Sequence, residues 1–94
     1  MKGYWIVKAN TVDVDKQKQY SSYAKKVAEK YGGRYIVRGG QNLTKEGSEY
    51  ERNVIVEFDS YDIALKAYES EEYKMAKDML GNSKDRIFAI VEGV

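Results

Sequence analysis

The stretch Tyr31-Gly32-Gly33-Arg34-Tyr35-Ile36-Val37-Arg38-Gly39-Gly40 constrains the fold more than any other part of the chain. Four glycines fall within nine residues, and glycine serves where a backbone takes positive φ or lets other atoms come close. The first pair reads as a helix stop. The second reads as a bulge or interruption in the strand that carries Arg34 and Arg38. Neither pair has the G-x-G-x-x-G or G-x-x-x-x-G-K spacing, and neither opens a helix, so neither reads as a phosphate cradle.

The segments on either side follow from that stretch. Gly3 to Ala9 is aromatic and β-branched and reads as a strand. Asp13 is an N-cap, and Tyr20, Tyr23, Ala24, Val27, Ala28 and Tyr31 then recur with the helical period, up to the stop at Gly32. Arg34 to Arg38 is the second strand. Gln41 to Lys45 can continue in extended form, with a hairpin turn at Glu46-Gly47-Ser48. Arg52 to Asp59 is the third strand, with Val54, Val56 and Phe58 on one face and Asn53, Ile55 and Glu57 on the other. Ser60 caps a second helix, Ser70 restarts a short third one, and Gly81 stops it. Arg86 to Glu92 is the last strand. The order β-α-β-β-α-(α)-β predicts one α+β domain over residues 1–94: a ferredoxin-like four-stranded antiparallel sheet with its helices on one face.

Composition narrows the chemistry. There is no cysteine and no histidine, which removes thiolate metal sites, disulfides, Cys nucleophiles and the usual general base. No metal site and no cofactor are expected. Net charge is +1, so no broad field draws in nucleic acid or an anionic membrane, and neither is an expected partner. No long apolar run occurs and the N-terminus does not read as a leader, so the expectation is a soluble cytoplasmic protein.

Helices can cover only one face of such a sheet. The other carries Arg34, Ile36, Arg38, Asn53, Ile55 and Glu57, together with either Tyr4 and Ile6 or Trp5 and Val7. A half-apolar face with opposite charges on neighbouring strands predicts a homodimer built sheet to sheet, against the alternative of an ordinary solvated face. An RNA-recognition domain shares the strand order, but the positions where aromatics would stack on bases hold Asn53 and Ile55.

Arginines 34, 38 and 52 can form an anion site, or pair with Glu57, Glu51 or a partner's carboxylate. Tyr4, Tyr35, Tyr68 and Tyr73 can line a pocket between sheet and helices, or serve simply as core. The candidate ligand-binding residues are Arg38, Arg52 and Tyr68, with Arg38 holding an anionic group. Glu57 and Tyr73 are the candidate proton carriers.

Gly3-Tyr4-Trp5, Tyr31-Gly32-Gly33-Arg34, Val37-Arg38-Gly39-Gly40, Glu51-Arg52, Val56-Glu57-Phe58 with Ser60, Ala64, Tyr68, Ser70, Glu72-Tyr73, Ala76 and Val91-Glu92-Gly93 stand in one order. In that combination the chain closely resembles a small, mostly bacterial family catalogued as domain of unknown function thirteen-thirty. The resemblance implies the dimeric α/β-barrel superfamily, in which two ferredoxin-like protomers pack sheet against sheet and a ligand cleft lies between sheet and helices. It places the chain beside cofactor-independent monooxygenases, haem-degrading enzymes and small isomerases or lyases. The haem-degrading relatives use a histidine ligand, which this chain lacks, so haem is not expected. Members commonly carry proline at the start of the first helix, where this chain has Val14; proline there is favourable but dispensable.

Three functions are compatible with these residues: a dimer that binds a small organic molecule in the sheet–helix cleft, a cofactor-independent enzyme on a small organic substrate, and a structural or protein-interaction module. The sequence leaves open whether the protein is an enzyme.

Overall fold

The computed structural model describes residues 1–94. The order is β1 (Gly3–Asn10), α1 (Val14–Lys30), β2 (Arg34–Arg38), β3 (Arg52–Phe58), α2 (Tyr61–Glu69), α3 (Glu71–Leu80) and β4 (Asp85–Glu92). The strands form one antiparallel sheet in the order β2-β3-β1-β4. This is the ferredoxin-like α+β arrangement, with the third helix where Ser70 suggested a restart.

The helix ends are set by local chemistry. The side chains of Asp13, Ser60 and Ser70 accept from the backbone N–H groups of Lys16, Ile63 and Tyr73, satisfying donors that a first turn leaves open. Gly32 takes φ of 77° just past Tyr31, the residue that caps α1. Gly3 has a different duty: a Cβ there would lie 2.4 Å from the Ser60 carbonyl oxygen, so its lack of a side chain lets the start of α2 close onto β1.

Trp5, Val7, Val54, Val56, Phe58, Phe88 and Ile90 point toward the helices and meet Tyr20, Ala24, Val27, Ala64, Ala67, Tyr73 and Leu80. Trp5 is the hub. Its ring lies 5.0 Å from Phe58 and 5.3 Å from both Tyr73 and Phe88, and its Nε1–H donates to the Ala64 carbonyl at 2.8 Å. A buried indole thus keeps its polar atom satisfied. Helix α1 packs mainly on α3, with Lys30 bound to Glu72 across their ends, while α2 makes the close approach to the strands.

The second glycine pair interrupts β2 without bulging it, and the expected side of Arg38 is corrected. The irregularity in β2 lies at Ile36: Tyr35 is opposite Val56, yet Val37 is opposite Ile55. Gly39 and Gly40, at φ of 70° and 85°, end the strand instead of bulging it, after the Gly39 N–H donates to the Asn53 carbonyl. Residues 41–45 do not extend the sheet either, and residues 39–51 run as a loop from β2 to β3. One extra residue reverses the alternation of side chains. Arg34, opposite Glu57, is therefore on the outer face, whereas Arg38, opposite Val54, is on the helix face. Arg38 does not share a face with Arg34 as alternation alone implied.

Candidate functional site

The site follows from that reversal and from the register. Across the sheet, Ala9 of β1 stands between Arg52 of β3 and Arg86 of β4, all three on the helix side. Arg38 stands beside them, opposite Val54. Gln17, Tyr20, Ser21 and Ala24 of α1 form a roof over this row, and Val7, Val54, Phe88 and Trp5 form an apolar floor behind it. The enclosed part of the cleft holds about 40 Å³ of free space. It opens past Gln17, Ser21, Arg38 and Arg52 into a polar basin of about 580 Å³, edged by Lys18, Lys25, Lys26 and one acid, Glu29.

At the back of the cleft Arg86 donates to the Tyr20 hydroxyl at 2.7 Å and to the Tyr73 hydroxyl at 2.8 Å, and the two hydroxyls are 2.6 Å apart. The guanidinium also lies over the Tyr20 ring, 4.4 Å from its centroid. Burial opposes the Arg86 charge, but the two tyrosine oxygens outweigh it and hold the group above the ordinary arginine range. Burial, reinforced by Tyr20, keeps Tyr73 protonated far above the usual phenol range. Tyr35, on the cleft wall beneath Arg38, is pushed up to about 12, chiefly by burial.

Arg38, Arg52 and Arg86 take part in none of the ion pairs of the molecule, which join Lys2 to Asp59, Lys30 to Glu72, and Arg34 to Glu57 and Asp59. The acids next to two of them in sequence face other duties. Glu51 accepts from the Thr11 N–H and Asp85 from Asn10 Nδ2. The inner cleft has neither carboxylate nor lysine among its lining residues.

The structure places the five candidate residues unequally. Arg38 and Arg52 line the cleft together. Tyr73 is sealed behind it, fully buried. Tyr68 packs behind Tyr73 and Phe88, each ring centroid 4.8 Å away, with Lys77 over its ring, and it does not line the cleft. Glu57 is on the opposite face of the sheet. There it accepts from Tyr4 Oη and Arg34 Nη2, both at 3.0 Å, and these partners, Arg34 first, hold its carboxyl below the usual range. Glu57 and Tyr73 therefore cannot act on one ligand. Sequence reading missed Tyr20 and Arg86. The available signal was an arginine in phase with Phe88 and Ile90, the inward-facing apolar residues of β4.

A ferredoxin-like domain with a basic, aromatic-walled cleft under its first helix is the class that fold and site define. Within that class the chain belongs to the family described as Domain of unknown function (DUF1330), whose profile matches residues 2–94. Among curated proteins none is similar to the chain in sequence. Solved structures share the fold at low identity. RPA0582 of Rhodopseudomonas palustris, a protein of unknown function, has a TM-score of 0.79 at 13% identity, over 99% of this chain and 82% of that one. A dimeric ferredoxin-like protein of unknown function from Jannaschia sp. CCS1 has a TM-score of 0.76 at 12% identity, over 99% and 100%. SnoaB of Streptomyces nogalater, a cofactor-independent oxygenase crystallised as a point mutant, has a TM-score of 0.68 at 9% identity, over 98% and 92%. At these identities the likeness concerns the fold alone.

Proposed function

We propose that this protein is a homodimer that binds a small organic molecule in the cleft between α1 and the sheet. The observation that carries the reading is that Arg38, Arg52 and Arg86, all without carboxylate partners, line one cleft with an apolar floor. Like charges gathered on one sheet face oppose folding unless something answers them. A ligand seated there would offset that cost, and the apolar floor would gain by being covered.

The dimer half of the reading rests on the outer face. Tyr4, Ile6, Ile55 and Val91 are only half-buried there, and Ile36 and Ile87 are 53% and 51% exposed. The structures of like fold include dimeric proteins. Packing two such faces together would remove the apolar surface from water. A cofactor-independent enzyme is the second reading, favoured by the fold likeness to SnoaB and to monooxygenase-like proteins. Binding without catalysis is preferred because the inner cleft supplies cations and the late-titrating phenol of Tyr35 but no carboxylate to accept a proton.

A ligand-observed NMR screen of small organic molecules tests the binding. Hits should bind the wild type and be lost in Ser21→Trp, which fills the cleft mouth from its roof on α1. Hits unaffected by that substitution, or no hits, would contradict the reading. Sedimentation at micromolar concentration should give twice 10.8 kDa. A single clean monomer would remove the dimer.

A further inference from the structure

The proposed cleft can be taken one step further, to the chemistry of its ligand; this step rests on the reading that a small molecule binds there. Arg52 and Arg86 leave β3 and β4, the strands that flank β1, on the two sides of Ala9. They diverge: an Arg52 guanidinium nitrogen lies near Gly39 on the β2 side, whereas Arg86 reaches to Tyr20 and Tyr73. The methyl of Ala9 is the floor between them. Arg38 and Arg52 border both the inner cleft and the basin, so both reach the rim, whereas Arg86 lines the inner cleft alone.

The hydroxyl triangle supplies another donor. Both tyrosine oxygens accept from Arg86, and one hydroxyl donates to the other. Tyr73 is fully buried and does not reach the cleft, so its proton has only Tyr20 Oη as acceptor. With Tyr73 donating to Tyr20, the Tyr20 proton is free for an acceptor in the cleft, which a ligand oxygen would supply.

We propose that the floor at Ala9, with Arg52 and Arg86 on its two sides, Arg38 at the rim and the Tyr20 hydroxyl above, seats the carboxylate of a small aryl or alkyl carboxylate whose apolar part lies over Val7, Val54 and Phe88. Guanidinium groups bind carboxylates through paired, charge-assisted hydrogen bonds, and the planar group fits a narrow slot. The limited inner space favours a short chain or a single ring. The lysines edging the basin add attraction without geometry.

Matched pairs that differ only in charge provide the test: phenylacetate against phenylacetamide, and hexanoate against hexanamide. Each is titrated into the full ¹⁵N-labelled chain at neutral pH, following arginine Nε–H and backbone signals. The acids should bind at least about tenfold tighter than their amides and move the arginine signals. Arg52→Gln should cost the acids about tenfold and leave the amides unchanged, and Tyr20→Phe should cost them a few-fold. Lys74→Gln, an exposed α3 residue removing the same charge, should change neither. Because Arg86 is tied to buried Tyr73, Arg86→Gln is interpreted only where circular dichroism shows the native fold; Arg52→Gln carries the test.

Amides binding as tightly as acids, or acids indifferent to Arg52→Gln, would overturn the carboxylate seat while leaving the small-molecule cleft standing. Inorganic phosphate matching the acids would show a plain anion site and overturn it too. Failure of acids and amides alike to move any cleft residue would overturn both the seat and the cleft reading.

Discussion

Arg34 and Arg38 begin and end the same short strand, and they live in opposite chemical worlds. Arg34, on the outer face, is answered by Glu57 at 3.0 Å and Asp59 at 3.3 Å. Arg38, on the helix face, has a tyrosine ring beneath it and no carboxylate at all. The outer face balances its charges within the protomer and is left with apolar surface to hide. The helix face hides its apolar surface and is left with charge to balance. The first imbalance suits a second copy of the chain, and the second suits a small anion. The extra residue at Ile36 separates the two cases within β2.

The largest expected effect separates the faces energetically. Trp5→Ala removes the hub of the helix side and should cost about 3–5 kcal/mol in urea-induced unfolding, as deletion of a buried aromatic does. The same truncation at Ile6, its neighbour on the outer face, should act mainly on association and make unfolding depend on protein concentration. Next, Ile55→Lys places a charge at the centre of the proposed interface. The dimer dissociation constant should rise about a hundredfold or more by sedimentation, while circular dichroism keeps the native form. A variant that stays dimeric would disconnect the outer face from assembly.

Deleting Ile36 attacks the comparison at its source. With the extra residue removed the ladder becomes regular, and Arg38 should keep its place opposite Val54 on the helix face. Phenylacetate affinity should then stay near the wild-type value, whereas Arg38→Gln should lower it roughly several-fold. An affinity as low as that of Arg38→Gln would show that Arg38 reaches the cleft only through the bulge.

The smallest effect is in the alkaline titration of the tyrosines. Tyr35, raised to about 12, and Tyr73, raised further, should ionise after the exposed phenols when absorbance at about 295 nm is followed, since a free tyrosine titrates near 10. For such a raised acid the folded form holds the proton more tightly. The associated stability is complete below about pH 10 and is lost as pH climbs through the folded value near 12. Simultaneous titration of every tyrosine would deny these two their burial.

Much of the fold was legible in the sequence because it depends on short-range rules. The helical period from Tyr20 to Tyr31, the caps at Asp13, Ser60 and Ser70, and the alternation of Val54, Val56 and Phe58 each name their element without tertiary information. The separation of Glu57 from Tyr73 was also legible, since Glu57 alternates with the inward residues of β3 while Tyr73 is on the inner side of its helix. The arginines were harder. Arg38 changes face through a bulge at an isoleucine, and a bulge there has no residue signature of the kind glycine provides. Arg86 matters because register puts it across Ala9 from Arg52, and register between β1, β3 and β4 belongs to the whole sheet.

A crystal structure of the protein grown with phenylacetate tests the central claim most directly. It should show the carboxylate within about 3 Å of Arg52 and Arg86 donors, above Ala9, in protomers joined through their outer sheet faces. Phenylacetate bound on the outer face, or protomers that bury the mouth of the α1 cleft against each other, would contradict it.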